Sequence, residues 1–211
     1  MPIQILYEDK HLIALDKPDG HVVFPGRGEM AGEPLNRELA AHLRRKVFVV
    51  HRLDRGASGL VLFAKDANTH QHLSLQFEKR EVQKTYLVLV QGRVEQNGKI
   101  EHPLKAFGSG RMGIHPQGKA SMTEYKVREH FPASTLLEVM PHTGRRHQIR
   151  VHLYSIGHPV MGDTLYGKDR PVGGAPRLML HAWKLEFEKP SGGTLALEAV
   201  PPAEFTDFLP K

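Results

Sequence analysis

Cysteine is absent from all 211 residues, which removes disulfides and thiolate-bound zinc and suits a reducing compartment. No apolar run approaches the ~20 residues needed to cross a bilayer. The opening stretch, Met1-Pro2-Ile3-Gln4-Ile5-Leu6-Tyr7-Glu8-Asp9, lacks the basic start and long apolar segment of a signal peptide. There is no internal repeat, low-complexity segment or linker. These absences leave a soluble, cytoplasmic protein without a membrane partner as the expectation, and nothing suggests more than a monomer. What is present is a basic balance: 29 Lys and Arg against 23 Asp and Glu, a formal +6 with 14 His held neutral. Such a balance favours a polyanionic partner without requiring one.

The apolar runs Ile3 to Tyr7 and Leu12 to Leu15, parted by Glu8-Asp9-Lys10, predict a hairpin. Lys17-Pro18-Asp19-Gly20 and Pro25-Gly26-Arg27-Gly28 read as turns. Leu35, Leu39 and Leu43 recur at helical spacing between Pro34 and Lys46, and Asn68 to Arg80 reads as a second helix with Leu73 and Phe77 inward. The stretches 47–50, 59–64, 85–92, 121–129, 135–141, 178–187 and 194–199 read as strands. Residues 98–121, with Gly108, Gly110, Gly113 and Gly118 among them, read as irregular, and the last strand leads to a short acidic-apolar tail. The sum is an α+β chain of mostly antiparallel strands with a few helices. It is expected to form one compact unit over 1–211, compatible with two subdomains meeting near residue 100.

Two constellations could carry chemistry. In "VVHRLDRGASGLVLFAKD" one acid, Asp54, stands between Arg52 and Arg55 in a short loop joining two strand-like runs. Guanidinium neighbours hold a carboxylate ionised. A permanently charged carboxylate suits attack on a sugar carbon or a base ring better than general-acid work. The plainer alternative is a loop aspartate paired with its neighbours. Ala57-Ser58-Gly59 supplies small residues where a backbone turns or lets a ligand close. The second constellation is "PHTGRRHQIRVHL", 141–153. Thr143-Gly144 could start a helix near exposed N–H groups, with Arg145 and Arg146 beside them as a phosphate site. On a helix over 146–156, Arg146 and Arg150 would share a face, one facing phosphate and the other an internal acid. The alternative is a solvated basic helix end. No metal is expected, because His147/His152 and His70/His72 lack the one-face spacing of a helical zinc site. Tyr86 opens a strand after Lys84-Thr85 and by spacing alone reads as core.

"HRLDRGASGLVLFAKD" closely resembles the signature of the RluA-type pseudouridine synthases. Five further stretches agree in the same order: "LDKPDG" (15–20), "KTYLVLV" (84–90), "TGRRHQIRVHL" (143–153), "GHPVMGDTLYG" (157–167) and "LMLHAWKLEF" (178–187). The chain departs from the family pattern at Asp16, Asp19 and Ala57, none of which removes a charged catalytic group.

The resemblance implies a curved, mixed but largely antiparallel sheet with flanking helices and loops and a central RNA-binding cleft. It implies isomerisation of uridine to pseudouridine in ribosomal or transfer RNA, with no cofactor. Asp54 becomes the nucleophile, Tyr86 the residue that stacks on the base, and Arg150 the partner that keeps the aspartate ionised. Arg52 matches the position that fills the gap left by a flipped nucleotide, since flipping costs a few kcal/mol. His51, Arg55, Lys84, Arg145, Arg146 and His147 become the expected RNA contacts. Relatives often carry a preceding RNA-binding domain. Here the matching sequence begins at residue 3, so no separate one is expected. The rivals are a catalytically silent RNA-binding protein of the same fold and an N-glycosidic hydrolase. The hydrolase would want a second carboxylate near Asp54.

Overall fold

In the computed structural model, residues 3–25, 32–108, 110–167 and 174–209 are described. The order of elements is β1 (Gln4–Glu8), β2 (Leu12–Lys17), α1 (Leu35–Leu43), β3 (Phe48–Val49), β4 (Ser58–Ala64), α2 (Ala67–Lys79) and β5 (Gln83–Gln91). There follow β6 (Gly98–Ile100), β7 (Leu104–Ala106), β8 (Met112–Ile114), β9 (Thr123–His130), β10 (Ser134–Pro141), α3 (Gln148–Ser155), β11 (Leu180–Glu188), β12 (Thr194–Glu198) and α4 (Ala203–Thr206). The described part of the expected turn at 25–28 is Pro25 alone; Gly26, Arg27 and Gly28 lie outside the described residues. The chain divides into two compact units. One joins Met1–Gln83 to Ala182–Val200, and the other joins Lys84–His181 to Pro201–Lys211.

The first unit is built on β2 and β4, whose apolar residues do not alternate with polar ones because both faces are covered. Antiparallel pairing sets Ala14 opposite Leu62 and Leu15 opposite Val61. Leu12, Ala14, Leu60 and Leu62 thus share a core with Leu73 of α2 and with Leu185 and Phe187 of β11. The alternate residues Ile13, Leu15, Val61 and Phe63 pack on Leu35 and Leu39 of α1. Each fully buried Leu or Phe contributes about 1.5–3 kcal/mol, and Leu73→Ala, at the centre of one face, would cost about 2–5 kcal/mol. Asp66 caps α2 by accepting from Thr69 N–H at 2.8 Å, and Arg80 closes it in the left-handed conformation. That backbone hydrogen bond is the main reason Asp66 titrates below the usual carboxylate range.

β4 continues into its neighbour β11 through an unusually close approach. At Gly59 (φ +106°) a Cβ would stand 2.2 Å from the carbonyl oxygen of Ala182, so only glycine fits. Glycine at 59 therefore admits a neighbouring strand, a different service from the ligand approach expected of Ala57-Ser58-Gly59.

The second unit carries the order β5-β10-β9-β6. Its registers are antiparallel, with Tyr86 opposite Val139 and a bulge in β9 at Arg128, where consecutive Leu136 and Leu137 face Glu129 and Val127. The expected irregular stretch 98–121 holds three strands: β6, paired with β9, and β7 and β8, paired with each other. They are three residues long, too short to show a period of two. Among the described residues no helix is long and apolar enough to cross a membrane.

Candidate active site

The loop holding Asp54 is fastened from beneath. Lys17, the last residue of β2, is wholly buried. Its Nζ donates to the carbonyl oxygens of Pro18 (2.8 Å), His21 (2.9 Å) and Arg55 (3.1 Å). Three carbonyls match the three donors of an ammonium, which makes burial of the charge tolerable. Arg55 returns the link, its Nε donating to Gly20 O at 3.0 Å. The turn 18–21 and the loop 52–55, far apart in sequence, are clasped in both directions. Ala57 N–H closes the loop on Asp54 O at 3.1 Å, and the Asp54 side chain is left half-buried.

The neighbours of Asp54 divide. Arg52 is exposed and its guanidinium lies 5.0 Å from the centre of the Phe24 ring, a cation–π contact. Arg55 is exposed as well. His51 is committed to the fold. The β3–β4 ladder ends at Val49 opposite Phe63. From there the His51 ring takes over, Nε2 accepting Leu62 N–H at 3.1 Å while the ring stacks on Phe77 at 4.7 Å. The ring expected as an RNA contact thus also completes the strand ladder and stacks on α2, which positions the loop.

In the second unit Tyr86 and Lys84 stand half-buried near the start of β5. The basic turn before α3 is organised by Gln148, whose amide is engaged on both sides. Oε1 accepts from the Thr143 hydroxyl (2.6 Å) and from Arg145 N–H (3.0 Å). Nε2 donates to Met122 O (2.9 Å) and Thr123 Oγ1 (3.0 Å). Helix α3 begins at Gln148, and its cap is His147 in the left-handed conformation (φ 54°) with no side-chain capping bond. Thr143 is therefore not the cap: its hydroxyl binds Gln148 and accepts Met122 N–H at 3.1 Å instead. Arg146 precedes the helix and is exposed, while Arg145 is half-buried.

Arg150, 6% exposed, meets the internal acid that helical spacing asked for. Its Nε and Nη2 donate to the two carboxylate oxygens of Asp163 at 2.7 and 2.8 Å, a bidentate pair with planar specificity. Asp163 Oδ1 also accepts the N–H groups of Leu165 (2.8 Å) and Tyr166 (3.0 Å). The Tyr166 ring lies 5.2 Å from the Arg150 guanidinium, and its hydroxyl is 2.9 Å from His147 Nδ1. Behind the turn, His152 is fully buried. Its Nδ1 meets Thr123 Oγ1 (2.9 Å) and its Nε2 meets His102 O (3.0 Å). Burial is the main cause that lowers its pKa, and the His102 ring adds to the effect against the hydrogen bond to the His102 carbonyl.

Sequence reasoning did not single out Lys17, Gln148, Asp163 or Tyr166. A lone acid between Gly162 and Thr164 was the available signal for Asp163; burial of Lys17 left none. Among the described residues no group of three His, Cys, Asp or Glu could hold a metal ion.

Residues 11–155 match the family model described as RNA pseudouridylate synthase. The chain is 43% identical, over 93% of its length, to ribosomal large subunit pseudouridine synthase D of Nitrosomonas europaea, of which it spans 61%. It is 38% identical, over 99% of its length, to the dual-specificity RNA pseudouridine synthase RluA of Vibrio cholerae, of which it spans 85%. Among solved structures it resembles human RNA pseudouridylate synthase domain containing 1, with a TM-score of 0.80 at 26% identity, covering 97% of this chain and 86% of that one.

Proposed function

The chain belongs to the RNA pseudouridylate synthase family, and from that premise we propose that it isomerises uridine in ribosomal or transfer RNA to pseudouridine. The observation that carries the reading is Asp54 itself: a half-buried carboxylate inside the matched residues 11–155, on a loop clasped by Lys17 and Arg55. A nucleophile needs a fixed approach, and a loop tied at both sides supplies it.

In this reading the target uridine leaves its stack. Asp54 promotes rupture of the bond from uracil N1 to the sugar. The detached uracil turns, C5 bonds to the same sugar carbon, the C5 proton is lost and N1 takes one up, so no atom is gained or lost overall and no cofactor is invoked. Tyr86 stacks on the base and helps remove that proton. Arg150, immobilised by Asp163, supplies a fixed positive charge for the acid. Arg52 fills the space vacated by the flipped nucleotide. Arg55, Lys84, Arg145, Arg146 and His147 contact the RNA backbone. His51 acts one step removed, by holding the loop.

The test uses unmodified ribosomal and transfer RNA incubated with wild-type protein or Asp54→Ala, the pseudouridines then mapped by carbodiimide labelling and primer extension. New stops with wild type alone are expected. Release of free uracil would indicate a hydrolase. Absence of any stop, with RNA still bound, would leave an RNA-binding protein of the same fold.

A further inference from the structure

The hairpin β7–β8 stands apart from the rest of the second unit's strands as a two-stranded sheet. Its composition is one-sided. From His102 to Thr123 there is no acid, while Lys105, Arg111 and Lys119 are cationic. At its tip Phe107 N–H donates to Arg111 O and Gly110 N–H to Phe107 O, both at 2.9 Å. The Phe107 side chain, at the end of this tight turn, is 45% exposed.

An exposed phenylalanine at a loop tip would ordinarily be free to swing, but this one is seated. Its ring lies across the backbone of Gly113, where a Cβ would come within 2.9 Å of Cε2. One edge meets the His115 ring at 6.2 Å and 73°, an edge-to-face contact. The hairpin is fixed in turn. Met112 N–H donates to the Tyr166 hydroxyl at 3.0 Å, and Leu104, Val151 and Tyr166 form one buried cluster. Lys119 pairs with Leu104 through two backbone hydrogen bonds of 2.9 and 2.8 Å. The aromatic face is thus rigidly connected to the residue that abuts His147 and Arg150.

We propose that the β7–β8 hairpin is a base-stacking platform for an unpaired nucleotide of the RNA substrate, with Phe107 as the stacking face and Arg111 and Lys119 as phosphate contacts. The inference rests on the RNA-directed reading above and narrows it, because a stacking face engages a base only where the base is not already stacked in a duplex. A protein partner is disfavoured by the absence of any acid along the stretch, since mixed charge is what a protein rim commonly offers. Phosphate contacts from the two cations would hold the strand, and the ring would select an unpaired base.

The test compares a fluorescein-labelled RNA hairpin bearing an unpaired uridine-containing loop with a fully paired duplex of equal length, by fluorescence anisotropy with the full chain. Wild type should prefer the loop. Phe107→Ala should lose about tenfold in loop affinity with the duplex unchanged, and Phe107→Trp should retain the preference. Lys119→Ala should weaken both RNAs alike and lower the salt slope by about one. Thermal melts matching wild type show that the variants are folded. Equal binding of both RNAs by wild type overturns the proposal, as does Phe107→Ala that keeps the loop preference. Isomerisation measured in the same series separates the two readings. A wild type that discriminates yet forms no pseudouridine sinks the activity and leaves the platform. An active wild type whose Phe107→Ala variant matches it in affinity and KM sinks the platform alone.

Discussion

The loop around Asp54 is fastened by a cation that reaches for backbone carbonyls, whereas the turn before α3 is fastened by an amide and a carboxylate that reach largely for N–H groups. Lys17 donates to Pro18, His21 and Arg55 carbonyls. Gln148 accepts Arg145 N–H, and Asp163 accepts those of Leu165 and Tyr166. In each place the fastener has the polarity opposite to the functional group it supports: a base beneath the acid, acceptors beneath the cations. The lesson is that a loop's function and its support draw on complementary halves of the backbone.

The comparison can be broken first at its functional end. Asp54→Asn should lower pseudouridine formation by at least about a thousandfold with an unchanged urea midpoint, because Lys17 and Arg55 hold the loop through backbone atoms. A midpoint that falls with the rate would make Asp54 part of the support. Asp163→Asn should lower stability as well as rate, because it removes the carboxylate that holds the buried Arg150 guanidinium, at a cost of about 3–5 kcal/mol in urea unfolding. Lys17→Met should cost about 2–4 kcal/mol by stripping donors from three carbonyls. It should also slow the reaction, since the acid would lose its fixed position. Gln148→Leu should cost about 1–3 kcal/mol and weaken RNA binding more than catalysis at saturating RNA.

The smallest effect is a pH dependence that only the second region should show. His152 titrates lower in the folded protein than unfolded. Below about pH 6.5 the unfolded chain therefore takes up a proton that the folded one refuses, and stability falls as the pH drops through that window. Asp9 and Asp66 also titrate low, Asp9 because hydrogen bonds from Leu12, His11 and Tyr7 outweigh its burial. Their contributions are lost only at more acid pH, below the ordinary carboxylate range, and do not blur the test. Melting temperatures at pH 5.5 and 7.5 should differ for wild type and converge for His152→Gln. Equal slopes would clear His152 of the effect.

Much of this was readable in the residues, for identifiable reasons. The β1–β2 hairpin, both long helices and β4, β5, β9 and β10 announced themselves through apolar spacing, and Asp54 through its isolation among arginines. Helical spacing asked that one of Arg146 and Arg150 meet an internal acid, but neither which arginine nor which acid, because Asp163 lies beyond the helix and its capture by Arg150 is tertiary. Lys17 looked like a turn residue, since nothing local marks a lysine as buried. The αL cap at His147 contradicted the capping preference that favoured Thr143. Here the hydroxyl found a better acceptor in Gln148. Strands of three residues carry no period, so the β7–β8 platform read as irregular.

The seat of Ala182 against Gly59 has a consequence for synthesis. The unit that carries Asp54 is discontinuous, and β4 reaches its neighbour β11 only after the long Lys84–His181 part of the second unit has been made. At about 5–20 residues per second the wait between Ala64 and Ala182 is on the order of ten seconds. During that time β3 and His51 cover the Leu62–Ala64 end of β4, but its start at Ser58–Leu60, buried in the finished protein, lacks a neighbour on one side. An apolar edge so long unpaired invites aggregation. The nascent chain should accordingly engage a chaperone until β11 emerges, and a message truncated before codon 182 should yield insoluble product.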